Sequence, residues 1–232
     1  DLASAKASFK DQAVIFSRKH NWIMCILYLG TFGSFIGFAA GFPLLIKSQF
    51  TGIDPVKYAF LGPLVGALAR PFGGWISDKI KSGALITQFV FIGMIMAVCG
   101  VIFFLPHNGE GGNFWGFFAC FLALFALTGI GNGSTFMQVP VIFLNMHQKF
   151  AEEGKVSEEQ ARLDATKEGA AVIGFTAAFA AYGGFFIPKS YGTSIDLTGS
   201  VNAALIGFIV FYAICAALNW WYYTRKCAEA KC

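Results

Sequence analysis

The chain has 232 residues, of which 56% are hydrophobic and only 13% charged; it contains 27 Phe, and its mean hydropathy is +0.61. One soluble core of this size cannot hide so much apolar surface, so the composition excludes an ordinary soluble domain and places the chain in a lipid bilayer. The net charge of +4 comes from Lys and Arg spread along the margins of the apolar segments, a pattern that calls for no nucleic-acid partner.

In chain order, residues 1–21 form a charged segment expected to be a cytoplasmic linker. It opens DLASAKASFKDQ, with no initiator Met and no signal-peptide pattern, and so reads as beginning in the middle of a longer chain. Apolar windows then predict six transmembrane helices within 22–223, near 22–46, 58–77, 84–105, 114–145, 169–187 and 201–223. The fourth, at about 48 Å, is long for a straight crossing. Gly129, Gly131, Gly133 and Pro140 offer places where it can bend or break. The connection 147–168, HQKFAEEGKVSEEQARLDATKE, mixes charges and reads as a solvated amphipathic helix on the cytoplasmic face. Residues 224–232 form a cytoplasmic tail.

Lys and Arg orient the bundle. Thirteen lie in 1–21, in the loop after the second span, in 147–168 and in the tail, whereas the other three connections hold only Lys47, Lys57 and Lys189. This positive-inside bias places both termini in the cytoplasm. Cys25, Cys99, Cys120 and Cys215 fall in spans, and Cys227 and Cys232 in the tail, so the six cysteines suggest free thiols rather than a disulfide framework.

Arg70 is the single charge inside a predicted span, twelve residues after Tyr58 and eight before Asp78. Burying a guanidinium at that depth costs about 3 kcal/mol on insertion scales, and such residues face a cavity or a partner. The thirteen carboxylates fall at segment ends or in loops, and His20, His107 and His147 are also terminal. A fixed cation with no carboxylate beside it points to an anionic ligand. The same inventory disfavours a proton relay within this segment, and it lacks the ingredients of a metal site or a catalytic triad, so neither enzyme nor cofactor is expected.

Glycines carry a second signal. Gly33, Gly37 and Gly41 recur every four residues in the first span, where simple helix packing is the plainer reading. Gly183 and Gly184 lie among Phe and Tyr in the fifth, a mixture suited to an aromatic-walled route.

The segments ILYLGTFGSFIGFAAGFPLLIKSQF, FLGPLVGALARPFGGWISDKI and GFTAAFAAYGGFFIPKSYGTSIDLTGS resemble, in order, consecutive signatures of the nitrate/nitrite porter family of the major facilitator superfamily. The third resembles that family's second nitrate signature, and GGWISDKIKSG resembles the short cytoplasmic motif that joins the second and third helices of a major-facilitator half. The resemblance covers the C-terminal six-helix half of a twelve-helix transporter. It implies an all-α membrane protein of the bacterial inner membrane whose complete form carries nitrate and nitrite. It further implies that Arg70 grips the anion and that Tyr28 and Phe32 line the site. In the fifth helix it implies that Gly174, Thr176, Gly183 and Gly184 pack closely around that site, with Thr176 as a polar contact.

The family's N-terminal half, with its own signature and second arginine, has no counterpart in this sequence, so a missing half or partner chain is expected. Exchange of nitrate for nitrite is the favoured activity, because a fixed charge with no titrating neighbour resists changing conformation while empty. Nitrate/proton symport, a six-helix anion channel and a structural membrane subunit are the alternatives.

Overall fold

The computed structural model describes residues 13–106, 111–230 and 232. The expectations attached to Asp1, Lys6, Lys10, Asp11, His107, Glu110 and Lys231 lie outside these residues. The regular structure of the described residues is all helical, with no strand among them.

Helix α1 runs Lys19–Gln49, α2 Leu61–Ile80, α3 Gly83–Phe104, α4 Phe114–Glu152, α5 Glu158–Ala181, α6 Gly183–Thr198 and α7 Asn202–Asn219. Helices α5 and α6 follow one another through Tyr182 as a single apolar run of 41 residues. Among the described residues, five runs are long and apolar enough to cross a membrane: α1, α3, α4, α5 with α6, and α7 extended to Thr224. Helix α2, 20 residues long and carrying Arg70, Asp78 and Lys79, is not among them.

Starts and stops follow local chemistry. Ser82, Asn113 and Ser157 each accept a hydrogen bond from a backbone N–H in the first turn of α3, α4 and α5. Lys81 ends α2 in the left-handed region, at φ 56. Helix α4 ends where Gly154 takes φ 71, with the Lys155 N–H bonded to the Phe150 carbonyl and the Gly154 N–H to the Ala151 carbonyl.

This ending corrects the expected surface helix over 147–168. The residues HQKFAE contain no breaker and prolong α4 to Glu152, while Ser157 caps a new start, so the segment is divided between two long helices. The fifth span is likewise longer than the expected 169–187, and it is interrupted at Tyr182.

Helix α4 is the hub. It packs on α2, α3 and α5, while α1 packs on α5 and α6, and α3 on α7. Its glycines, expected to mark a bend or break, lie in a helix with no break and make close contacts. A Cβ on Gly129 would strike the Gly66 carbonyl of α2, and one on Gly133 would strike the Arg70 carbonyl. A Cβ on Gly131 would come within 2.8 Å of Thr31 and Val90. Small residues here bring the backbones of α2 and α4 together and let side chains of α1 and α3 close on α4. The core mixes aliphatic and aromatic side chains, with Phe38, Phe42, Phe117, Phe121 and Phe125 fully buried in one connected cluster.

Four of the cationic margins meet at one end of the bundle. Arg18, just before α1, makes a two-pronged pair with Glu168 of α5 at 2.9 and 2.7 Å, and its guanidinium lies 5.6 Å from the centre of the Phe150 ring. His147 of α4 lies 3.4 Å from the same carboxylate. Lys19 donates to Glu229 of the tail at 2.8 Å, Lys149 to the Glu229 carbonyl at 2.9 Å, and Ser82 to the Cys232 carbonyl at 2.8 Å.

Candidate functional site

The site is organised by an irregular turn. Residues Leu29–Gly33 of α1 form a π-helical turn, which inserts an extra residue and re-aims the side chains around it. Gly30 is tightly held: a Cβ there would come within 2.8 Å of Phe91 and 3.0 Å of the Cys215 sulfur.

Tyr28, just before this turn, and Phe32, within it, stack with ring centroids 5.2 Å apart and planes 28° from parallel. The Arg70 guanidinium of α2 lies over the Phe32 ring, 5.9 Å from its centre. That is the outer range of a cation–π contact, which orients a guanidinium without neutralising it. Arg70 is exposed, and among the described residues no ion pair involves it. Buried Tyr28 donates its hydroxyl proton to Asn132 Oδ1 of α4 at 2.8 Å. The structure thus brings Arg70, Phe32 and Tyr28 together and adds Asn132, which the sequence reading did not single out. The signal available was the run GIGNGSTF, a cluster of small and polar residues in the middle of an apolar helix.

The fifth-helix residues divide. A Cβ on Gly183 would strike the Gly33 carbonyl directly beside Phe32, and one on Gly37 would come to 2.5 Å from the Gly183 carbonyl. Gly184 meets only the Ile36 side chain, at 2.9 Å. Gly174 is exposed, and among the described residues a Cβ there would meet nothing within 4 Å, so it makes none of the close packing expected of it within this chain. Thr176 is buried and gives its proton to the Val172 carbonyl at 2.8 Å, a bond within its own helix that leaves no free donor, contrary to the expected polar contact. A cavity of about 200 Å³ beside the Gly33–Gly183 contact has apolar walls that include Leu29, Phe208 and Tyr212, which suit no anion.

Polar groups continue away from the site along α4. Thr135 meets Thr31 at 3.0 Å, Ser134 meets Thr87 at 2.8 Å, and Gln138 donates to Thr87. At the charged end, the hydrogen bond from Lys19 holds the Glu229 carboxyl below the usual carboxylate range.

An exposed guanidinium beside stacked rings can hold a small planar anion, two N–H donors meeting two oxygens while an aromatic face covers the plane.

No family model matches the chain. It is 44% identical over 227 residues to the nitrate/nitrite transporter NarU of Escherichia coli, an alignment covering 97% of this chain and 48% of that protein. It is 41% identical over 231 residues to the probable nitrate/nitrite antiporter NarK2 of Thermus thermophilus, covering 98% and 47%. A nitrite extrusion protein of Bacillus subtilis is 27% identical over 230 residues, covering 95% and 49%. These relatives are named as transporters and none as an enzyme. The chain spans about half the length of the curated relatives it matches. At 41–44% identity over nearly its whole length, the chain is similar to about half of these nitrate/nitrite transporters.

Proposed function

We propose that the chain is the C-terminal six-helix half of a nitrate/nitrite transporter of the bacterial inner membrane. In this reading α2 supplies the sixth crossing, since 20 helical residues reach about 30 Å and its one deep charge serves the substrate. Both chain ends lie on the cytoplasmic side, a placement supported by the convergence of the basic margins at one end of the bundle. The missing N-terminal half closes the other side of the anion site, and the two halves rock about bound nitrate or nitrite.

The observation that carries this reading is Arg70: an exposed guanidinium in mid-helix, lying over Phe32 with no ion-pair partner among the described residues. In water-filled loops such an arginine would be unremarked, but in a membrane helix it needs an anion. Arg70, Tyr28 and Phe32 form this half of the site, and Gly183 lets α6 approach α1 beside it. Exchange fits a fixed positive charge best, and the name of the Thermus relative, an antiporter, supports it. The test is nitrate uptake by the complete transporter in proteoliposomes preloaded with nitrite. Arg70→Gln is expected to abolish saturable counterflow; wild-type counterflow from that variant rejects the site. Single-channel currents without counterflow would replace the reading with an anion channel.

A further inference from the structure

Asn132 touches neither an ion pair nor a loop, yet it sits where three helices meet. It is 2% exposed on α4, between Gly131, packed on Thr31 of α1, and Gly133, packed on the Arg70 carbonyl of α2. Its Oδ1 takes the Tyr28 hydroxyl proton at 2.8 Å. A phenol has one O–H to give, so a Tyr28 bonded in this way offers an anion its ring face and no donor. The same bond fixes the ring that stacks on Phe32, and Phe32 in turn lies under the Arg70 guanidinium.

We infer that Asn132 is a positioning residue of the anion site: by holding the Tyr28 hydroxyl it sets the Tyr28–Phe32 stack under Arg70, leaving that guanidinium as the N–H donor that this half aims at a planar anion. The inference rests on the reading of Arg70, Tyr28 and Phe32 as substrate contacts. Without Asn132 a buried hydroxyl loses its acceptor and the ring is driven to seek another, which disorders the stack. Loss of one such bond weakens anion binding on the order of tenfold.

The test uses the complete transporter in proteoliposomes and separates nitrate KM from turnover in nitrite-loaded vesicles. Asn132→Leu and Tyr28→Phe are each expected to raise KM about tenfold while turnover changes by less than about twofold. The double variant is expected to be no worse than the worse single one, because both remove the same bond. Asn132→Ser, too short to reach Tyr28 but still polar, is expected to raise KM likewise and covers the case in which the leucine variant fails to reach the membrane. A wild-type KM in the variants at position 132 overturns the inference, as does a double variant whose effect is the product of the singles. Lower turnover at unchanged KM also overturns it, since that marks a purely structural role. If instead Arg70→Gln retains wild-type KM, the parent reading fails, whatever Asn132 does.

Discussion

Gly33 and Gly183 meet backbone to backbone: a Cβ on Gly183 would fall on the Gly33 carbonyl, and one on Gly33 would come within 2.8 Å of the Ala180 carbonyl. Because both clashes are with main chain, no rotamer change relieves them. Gly183→Ala is therefore expected to force α1 and α6 apart and to abolish transport, while insertion into the membrane persists because the segment becomes more apolar. Gly184→Ala meets only the Cγ2 methyl of Ile36 and is expected to retain part of the activity, and Gly174→Ala, with open space around it among the described residues, most of it. Uptake rates at matched membrane protein level test the order; equal rates in the three variants would remove the argument from close packing.

Arg70→Lys preserves charge and loses the planar fork. An ammonium offers one point of contact where the guanidinium offers two parallel donors, so nitrate affinity is expected to fall by at least about tenfold, with residual binding from charge alone. Titration of labelled nitrate into the purified complete transporter measures this. An affinity equal to wild type would mean that Arg70 acts only as a charge or not on substrate at all.

The helices were legible because apolar runs and the Lys/Arg partition are local properties of the sequence. The path of the chain between 147 and 168 was not, because a mixed-charge segment looks alike whether it forms one surface helix or the ends of two long ones. Gly154 and Ser157 decide between these, through a left-handed stop and a side-chain cap. Asn132 was hidden for another reason: its partner Tyr28 is 104 residues away, and no pattern in either helix says that they face each other. The π turn at Leu29–Gly33 has no composition of its own; LGTFG reads as ordinary helix. The motif that drew attention to Gly174 and Thr176 marks a stretch of chain, whereas side-chain direction within it is set by packing, which turns Thr176 inward.

The pair between Arg18 and Glu168 joins the residue preceding α1 to α5, and its carboxylate side chain is 12% exposed. Glu168→Gln leaves Arg18 and nearby His147 without their common anion, so the transporter is expected to lose about 1–3 kcal/mol of stability. A lowered unfolding temperature in detergent checks this, and an unchanged one would show that water replaces the carboxylate without cost.

Glu229 titrates below the usual carboxylate range because Lys19 bonds its charged form. A depressed folded-state value means that the pair stabilises the tail above the ordinary carboxylate pKa of about 4.3, and that this contribution disappears as pH falls through the lower folded value. Both side chains are half exposed, so the effect is small and fades in salt. Between pH 7 and pH 3 at low salt, the wild type is expected to lose slightly more stability than Glu229→Gln. Parallel losses in the two proteins would place the tail's attachment in its backbone bonds to Tyr222 and Tyr223 instead.

Coupling follows from what surrounds Arg70. No carboxylate among the described residues pairs with it, so none of those carboxylates balances its charge by titrating when the anion leaves. An empty site then keeps an uncompensated cation, which opposes passage through the closed arrangement between outward and inward states; a bound anion removes that opposition. The complete transporter loaded with internal nitrite is therefore expected to take up labelled nitrate at least about tenfold faster than vesicles without internal anion, a difference of roughly 1.4 kcal/mol in barrier. An imposed proton gradient is expected to change the initial rate by less than about twofold, since none of the described carboxylates pairs with Arg70. Uptake driven equally well by a pH gradient into anion-free vesicles would reject exchange and place a titrating group in the other half, making the transporter a nitrate/proton symporter.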